Sequence, residues 1–292
     1  MSERQERQKF DKRHAPETVE ITVLTGTSAG GAGRAGGDAL WTASANVLAY
    51  VDEHGDVVVA EGRLEWLATE EQTGTWIHDL QPLTQYVMRA RRASPDPAEY
   101  AKHGMAVPDL AHHFALDEVL AHDVHVAALD ERKARWLEPV TLATDVGEFT
   151  LERGYGQFVA TVDWRGHPMS VMLELDDDAE EGAETCTAAL TRFRQCVADS
   201  ANVDARWRAY AAATLTELAN DWAQDEDGAE GQPAPERITE EVFAERIRLD
   251  ELSVTPEGSM TPFFADGDLF WGHVILLDVE SDGTVTDAYI AG

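Results

Sequence analysis

FFADGDLFWGHVILLDVESDGTVTDAYIAG, residues Phe263 to Gly292, alternates apolar and polar side chains and breaks at two Asp-Gly turns, Asp266-Gly267 and Asp282-Gly283. Asp and Gly both tolerate positive φ, so this dipeptide between β-rich runs is a strong hairpin signal. The stretch predicts strands near 259–265, 268–279 and 284–290, with another before them near 249–255. Period two over 268–279 would place Leu269, Trp271, His273, Ile275 and Leu277 on one face. Phe270, Gly272, Val274, Leu276 and Asp278 would take the other.

Upstream the same alternation recurs in Gly147–Glu152, Gln157–Asp163 and Met169–Leu175. Two helical patterns follow. The first has apolar positions at Cys186, Ala189, Leu190, Phe193 and Val197, the second at Trp207, Tyr210, Ala211, Leu218 and Trp222. Thr239 is placed to N-cap a short helix that buries Phe243 and Ile247. Three strands, then helices, then four strands predict an α+β domain over 140–292, an antiparallel sheet with helices on one face. The acidic stretch Asp225–Arg237 reads as a linker.

Residues 18–139 read as a smaller β-rich domain with short helices. Its strands are expected at Thr18–Thr25, Asn46–Asp52, Asp56–Ala60, Leu64–Leu67 and Tyr86–Arg91, forming a bent sheet or barrel. Helices are expected over 110–122, where Leu116, Val119 and Leu120 share a side, and over 128–137. Pro139 marks the hinge. Residues 1–17 are charged and poor in apolar side chains, which predicts a disordered lead-in.

Several segments of the second half carry a resemblance: GEFTLERGYGQFVATVDWRG (Gly147–Gly166), LANDWAQDED (Leu218–Asp227), ITEEVFAERIRLDELSV (Ile238–Val254), DGDLFWGHVI and the terminal DAYIAG. In pattern and order they resemble the bacterial family of domain of unknown function 2262, over roughly residues 140–292. The resemblance implies a boundary near residue 140 and brings no activity, cofactor or catalytic residue with it. No resemblance is drawn for the N-terminal half.

The chain of 292 residues carries 55 acidic and 23 basic residues, a net charge of −32. Residues 145–292 hold 32 acids against nine arginines and no lysine, a balance of −23. Such a field repels phosphate backbones and attracts basic proteins, so a basic protein partner is expected and nucleic acid is not. The same excess also serves solubility. MSERQERQKFDKRH lacks the apolar core of a signal peptide, and no apolar run reaches spanning length, so a cytoplasmic protein without membrane contact is expected. Cys186 and Cys196, ten positions apart on one predicted helix, would lie ~15 Å apart, too far for a disulfide. Both are read as buried or semi-buried thiols in a reducing compartment.

The residue types that bear chemistry fall in a few places. Gly31-x-Gly33-x-x-Gly36 spells a dinucleotide fingerprint but begins too late after its strand and opens no helix, so it reads as a surface loop. His103, His112, His113, His122 and His125 fall within 23 residues, and His112, His113, His122 and His125 are the candidate ligands of a metal-binding N-terminal domain. On the last hairpins His273 is the candidate general base or ligand, helped by Asp266, Asp268 or Asp287, of which the hairpin turn already accounts for the first two; Trp271, Gly272, His273 and Asp268 would line a ligand pocket. Asp176–Asp178 and Asp225–Asp227 lack the spacing of a Ca²⁺ loop. Trp164, Trp207 and Trp222 are read as packing residues. No cofactor is expected. These features favour a non-enzymatic acidic interaction module, immunity-type or regulatory, over a small-ligand binder or hydrolase built on Trp271, His273 and Asp287.

Overall fold

The computed structural model describes residues 2–27, 30–179, 182–226 and 237–292. The chain forms two compact units, Met1–Glu138 and Pro139–Gly292. Residues 227–236 of the acidic stretch read as a linker lie outside the described residues.

The first unit opens with helix α1 (Glu3–Asp11), in place of the disordered lead-in expected over 1–17. Ser2 and Gln5 form a capping box at its start, and the buried Glu6 carboxylate accepts hydrogen bonds from the Ala39 and Leu40 N–H groups, both at 2.8 Å. These contacts, with buried Phe10, anchor a segment whose composition alone reads as unfolded. Strands β1 (His14–Thr25), β2 (Gly31–Gly33), β3 (Trp41–Val51), β4 (Val57–Val58), β5 (Gly62–Ala68), β6 (Gln85–Ala93) and β7 (His113–His122) follow, with helix α2 (Pro97–Lys102) before β7 and α3 (Ala127–Leu137) after it. The helix expected over 110–122 is therefore a strand, β7.

Among the described residues β1 pairs with both β3 and β6, β3 with β5, β5 with β7 in parallel, and β7 with β6. That circuit closes a five-stranded Greek-key barrel, the architecture of the oligonucleotide- and oligosaccharide-binding folds. The architecture hosts unrelated functions and assigns none here. Ile21, Val23, Ala45, Leu64, Met88 and Phe114 fill it, and Leu129 of α3 seals a second cluster with Leu24, Leu48 and Ala49. Gly62 is required where β5 meets the start of β7, because a Cβ there would sit 2.4 Å from the His112 carbonyl oxygen.

The second unit is α+β. Four strands precede its helices rather than three: β8 (Thr141–Thr144), β9 (Gly147–Glu152), β10 (Gln157–Trp164) and β11 (His167–Glu174). Helices α4 (Thr187–Ala198), α5 (Ser200–Glu226) and α6 (Glu240–Arg246) follow, then β12 (Arg248–Val254), β13 (Met260–Ala265), β14 (Val274–Val279) and β15 (Val285–Ala291). Among the described residues they form one eight-stranded sheet, ordered β15-β14-β13-β12-β11-β10-β9-β8. Neighbours run antiparallel except β11 and β12, which pair in parallel, so the expected all-antiparallel sheet is corrected to a mixed one.

Helices α4 and α5 pack on β11, β12, β14 and β15, and α6 packs on α5. The core between the layers holds Phe149, Phe158, Val171, Phe193, Trp207 and Phe264. Each such aromatic or aliphatic side chain contributes ~2–3 kcal/mol when fully buried. Trp164 and Trp207 stack with ring centroids 6.2 Å apart, as packing residues should. Thr239 caps α6 through the Val242 N–H, and Asp176 caps α4 through the Thr187 and Ala188 N–H groups. The first acid of the 176–178 run is thus a helix cap. No helix among the described residues is long and apolar enough to cross a membrane.

Candidate functional site

The strand expected over 268–279 begins only at Val274. Residues 266–273 form a compact loop, and its organiser is Asp266. This carboxylate is buried and accepts hydrogen bonds from the N–H groups of Phe270 at 2.7 Å, Gly272 at 3.1 Å and Asp268 at 3.3 Å. Arg246 clamps the outside of the turn by donating to the carbonyls of Gly267 and Asp268. Gly267 is obligatory, since a Cβ there would lie 2.5 Å from the Arg246 carbonyl oxygen. Asp268 and Trp271 take positive φ, at 61° and 56°, a costly backbone state for residues other than glycine.

This loop replaces the expected alternation of faces. Leu269 and Phe270 are both buried, while Trp271 is 57% exposed. Trp271 rests on Trp222 of α5, with ring centroids 4.7 Å apart. His273 is half-buried edge-on to Trp222, and its Nδ1 donates to the Phe270 carbonyl oxygen at 2.8 Å. That bond leaves Nε2 as an acceptor, oriented by a carbonyl rather than a carboxylate.

Asp287 does not join this group. It pairs with Asp278, whereas Val274, next to His273, pairs with Ala291, four residues further along β15. Four strand residues span ~13 Å, so the pocket expected between Trp271, His273 and Asp287 is not assembled. Asp268 is exposed and belongs to the turn.

The histidines of the first unit are also dispersed. His112 lies 3.0 Å from the Tyr50 hydroxyl, His113 begins β7, His122 ends it, and His125 sits beside Asp130. A strand of that length separates its ends by ~30 Å, so His112 and His113 cannot share an ion with His122 and His125. Among the described residues no three His, Cys, Asp or Glu side chains converge on a metal position. Gly31–Gly33 is a short strand on β3, which removes the dinucleotide fingerprint from consideration. Cys186 and Cys196 are buried and free. Burial, with Asp176 nearby, pushes the Cys186 thiol up to about 11, so it remains protonated at neutral pH and is a poor nucleophile.

What remains is a surface that sequence reasoning missed, the open face of the eight-stranded sheet. Buried Ile275, Leu277 and Val279 of β14 face the helices, so Val274, Leu276 and Asp278 face away from them. Cross-strand pairing extends this open face into two apolar rows, Tyr289–Leu276–Phe263 and Ala291–Val274–Ala265. Acids fringe them: Asp278 directly opposite Asp287, and Glu251 opposite Phe263. Further along lie Glu174, Glu152 and Glu148. Arg248, the one basic residue on these strands, is bound to Asp250 at 2.8 Å. The Tyr289 phenol is pushed up by burial, then by Asp278 and Asp287, and Glu174 is pushed up by burial and by Glu257. Alternation along each strand was the signal available, but the open face becomes a patch only once the register is known.

Comparison with known proteins gives families without an assigned activity. Residues 6–136 match the model of a domain of unknown function, 7021. No curated protein and no solved structure matches. Residues 143–290 match the family described as an uncharacterized protein conserved in bacteria, domain of unknown function 2262. That match spans half of the chain, and the protein therefore belongs to this bacterial family.

Proposed function

We propose that the protein is a non-enzymatic interaction module whose second unit binds a basic protein. The observation that carries the reading is the placement of charge. Of the nine arginines in residues 145–292, five lie on α4–α6 and only Arg248 lies on a strand. The sheet side is therefore left with its acids almost unopposed. Complementary fields of this kind speed encounter and select partners, and their effect fades as salt rises. An immunity-type or regulatory role uses binding alone and needs none of the nucleophile–base geometry that the 266–273 loop lacks.

The test is capture with the full chain as bait from a bacterial lysate, followed by purification and titration of what is held. The expected outcome is an identified basic protein whose Kd weakens at least tenfold between 50 and 300 mM salt. A binding partner that is neutral or acidic and insensitive to salt would remove this reading.

A further inference from the structure

We propose that the open face of β13–β15 is the docking surface, and that its occupant is a cationic segment of the partner that also presents apolar side chains. The inference deepens the reading above and rests on it.

Three observations converge on this patch. First, it is apolar and uncovered. Val274 is 39% exposed and Tyr289 38%, and they flank Leu276 and Phe263 on adjacent strands. A contiguous apolar patch rimmed by polar groups marks an interaction site. Second, its rim is mainly acidic. Asp278, Asp287 and Glu251 border the two rows, and Arg248, which ends the second row beside Ala265, is paired with Asp250. A second copy of this chain would bring these acids against one another, which disfavours self-association and leaves a cationic partner.

Third, Asp278 and Asp287 stand directly opposite each other across β14 and β15. Like charges in such a pair destabilise a sheet, and an opposite charge at either position would stabilise it. The isolated protein thus tolerates a repulsion that one bridging Lys or Arg side chain would relieve. The Tyr289 hydroxyl, 3.5 Å from an Asp278 oxygen, sits at the join between the acids and the apolar rows. An Arg placed there would meet a carboxylate and an aromatic face together.

The probe is a synthetic amphipathic peptide of alternating Lys and Leu turns, titrated into the full chain at low salt. Methyl-labelled NMR reads the location. Shifts are expected for the Val274 and Leu276 methyls on the open face, with Ile275 and Leu277 on the helix side unmoved. Asp278→Lys supplies the second readout, because it should weaken peptide binding about fivefold to tenfold while its urea midpoint stays equal or rises. Glu241→Lys, an equal charge change on α6, should alter binding less than twofold.

Equal losses in the two variants, or shifts confined to the helix side, would overturn this docking surface while leaving the basic-partner reading intact. Absence of any peptide binding would also overturn it. Open-face shifts with a doubled mass by light scattering, in the absence of peptide, would assign the patch to a second copy instead. Failure of the capture experiment, by contrast, strikes the functional reading itself.

Discussion

Two histidines contribute to the acid sensitivity of the fold. His14 is buried with its Nδ1 donating to the Phe10 carbonyl oxygen at 2.9 Å, and burial holds its pKa below the ordinary value. His78 is likewise held low, by burial and then by His122. Each imidazole is therefore more readily protonated in the unfolded chain than in the folded one. Their contribution is complete above the unfolded pKa of ~6.5 and declines as pH falls from there through the folded values. Urea midpoints should be level between pH 7 and 8 and should drop between pH 6.5 and 5. Replacing His78 by Gln should flatten part of that slope. A midpoint that rises on acidification would contradict the assignment.

At the level of elements, the 266–273 loop is held by one side chain. Asp266→Ala removes the acceptor for three backbone N–H groups, that of Phe270 buried, at a cost of roughly 2–4 kcal/mol in urea unfolding. Trp271 should lose its fixed seat on Trp222, read as a changed near-ultraviolet circular dichroism band. An unaltered spectrum and midpoint would show that the loop is held by other means.

This loop also shows why the sequence misleads here. LFWGHVIL alternates as a strand would, but a carboxylate upstream captures the N–H groups that a ladder needs, and no local pattern announces it. The misreading of 113–122 has a different cause. Breaks in register between Val87 and Met88 and between Arg89 and Ala90 shift the β6–β7 pairing, so Leu116, Val119 and Leu120 lose period two and imitate a helix. Where the ladders are regular, as across Phe158–Leu173 and Ala160–Val171, strands and burial were legible from the alternation alone. The patch on the open face was not legible, because it depends on which strands are neighbours.

For the whole molecule, the two units have separate interiors, so each should fold without the other. A fragment of residues 139–292 is expected to unfold in one cooperative transition and to keep the near-ultraviolet signal of the Trp164–Trp207 stack. A non-cooperative, weakly ordered fragment would show that the first unit is needed to complete it. The parallel ladder that joins Ser170 to Glu251 and Leu173 to Val254 has a kinetic consequence inside this unit. Contacts separated by roughly eighty positions form late. During translation β11 emerges with one margin bare and keeps it bare until the roughly eighty positions up to β12 have also left the ribosome. The pace of synthesis between these two strands therefore sets how long that margin is open to capture by other nascent chains.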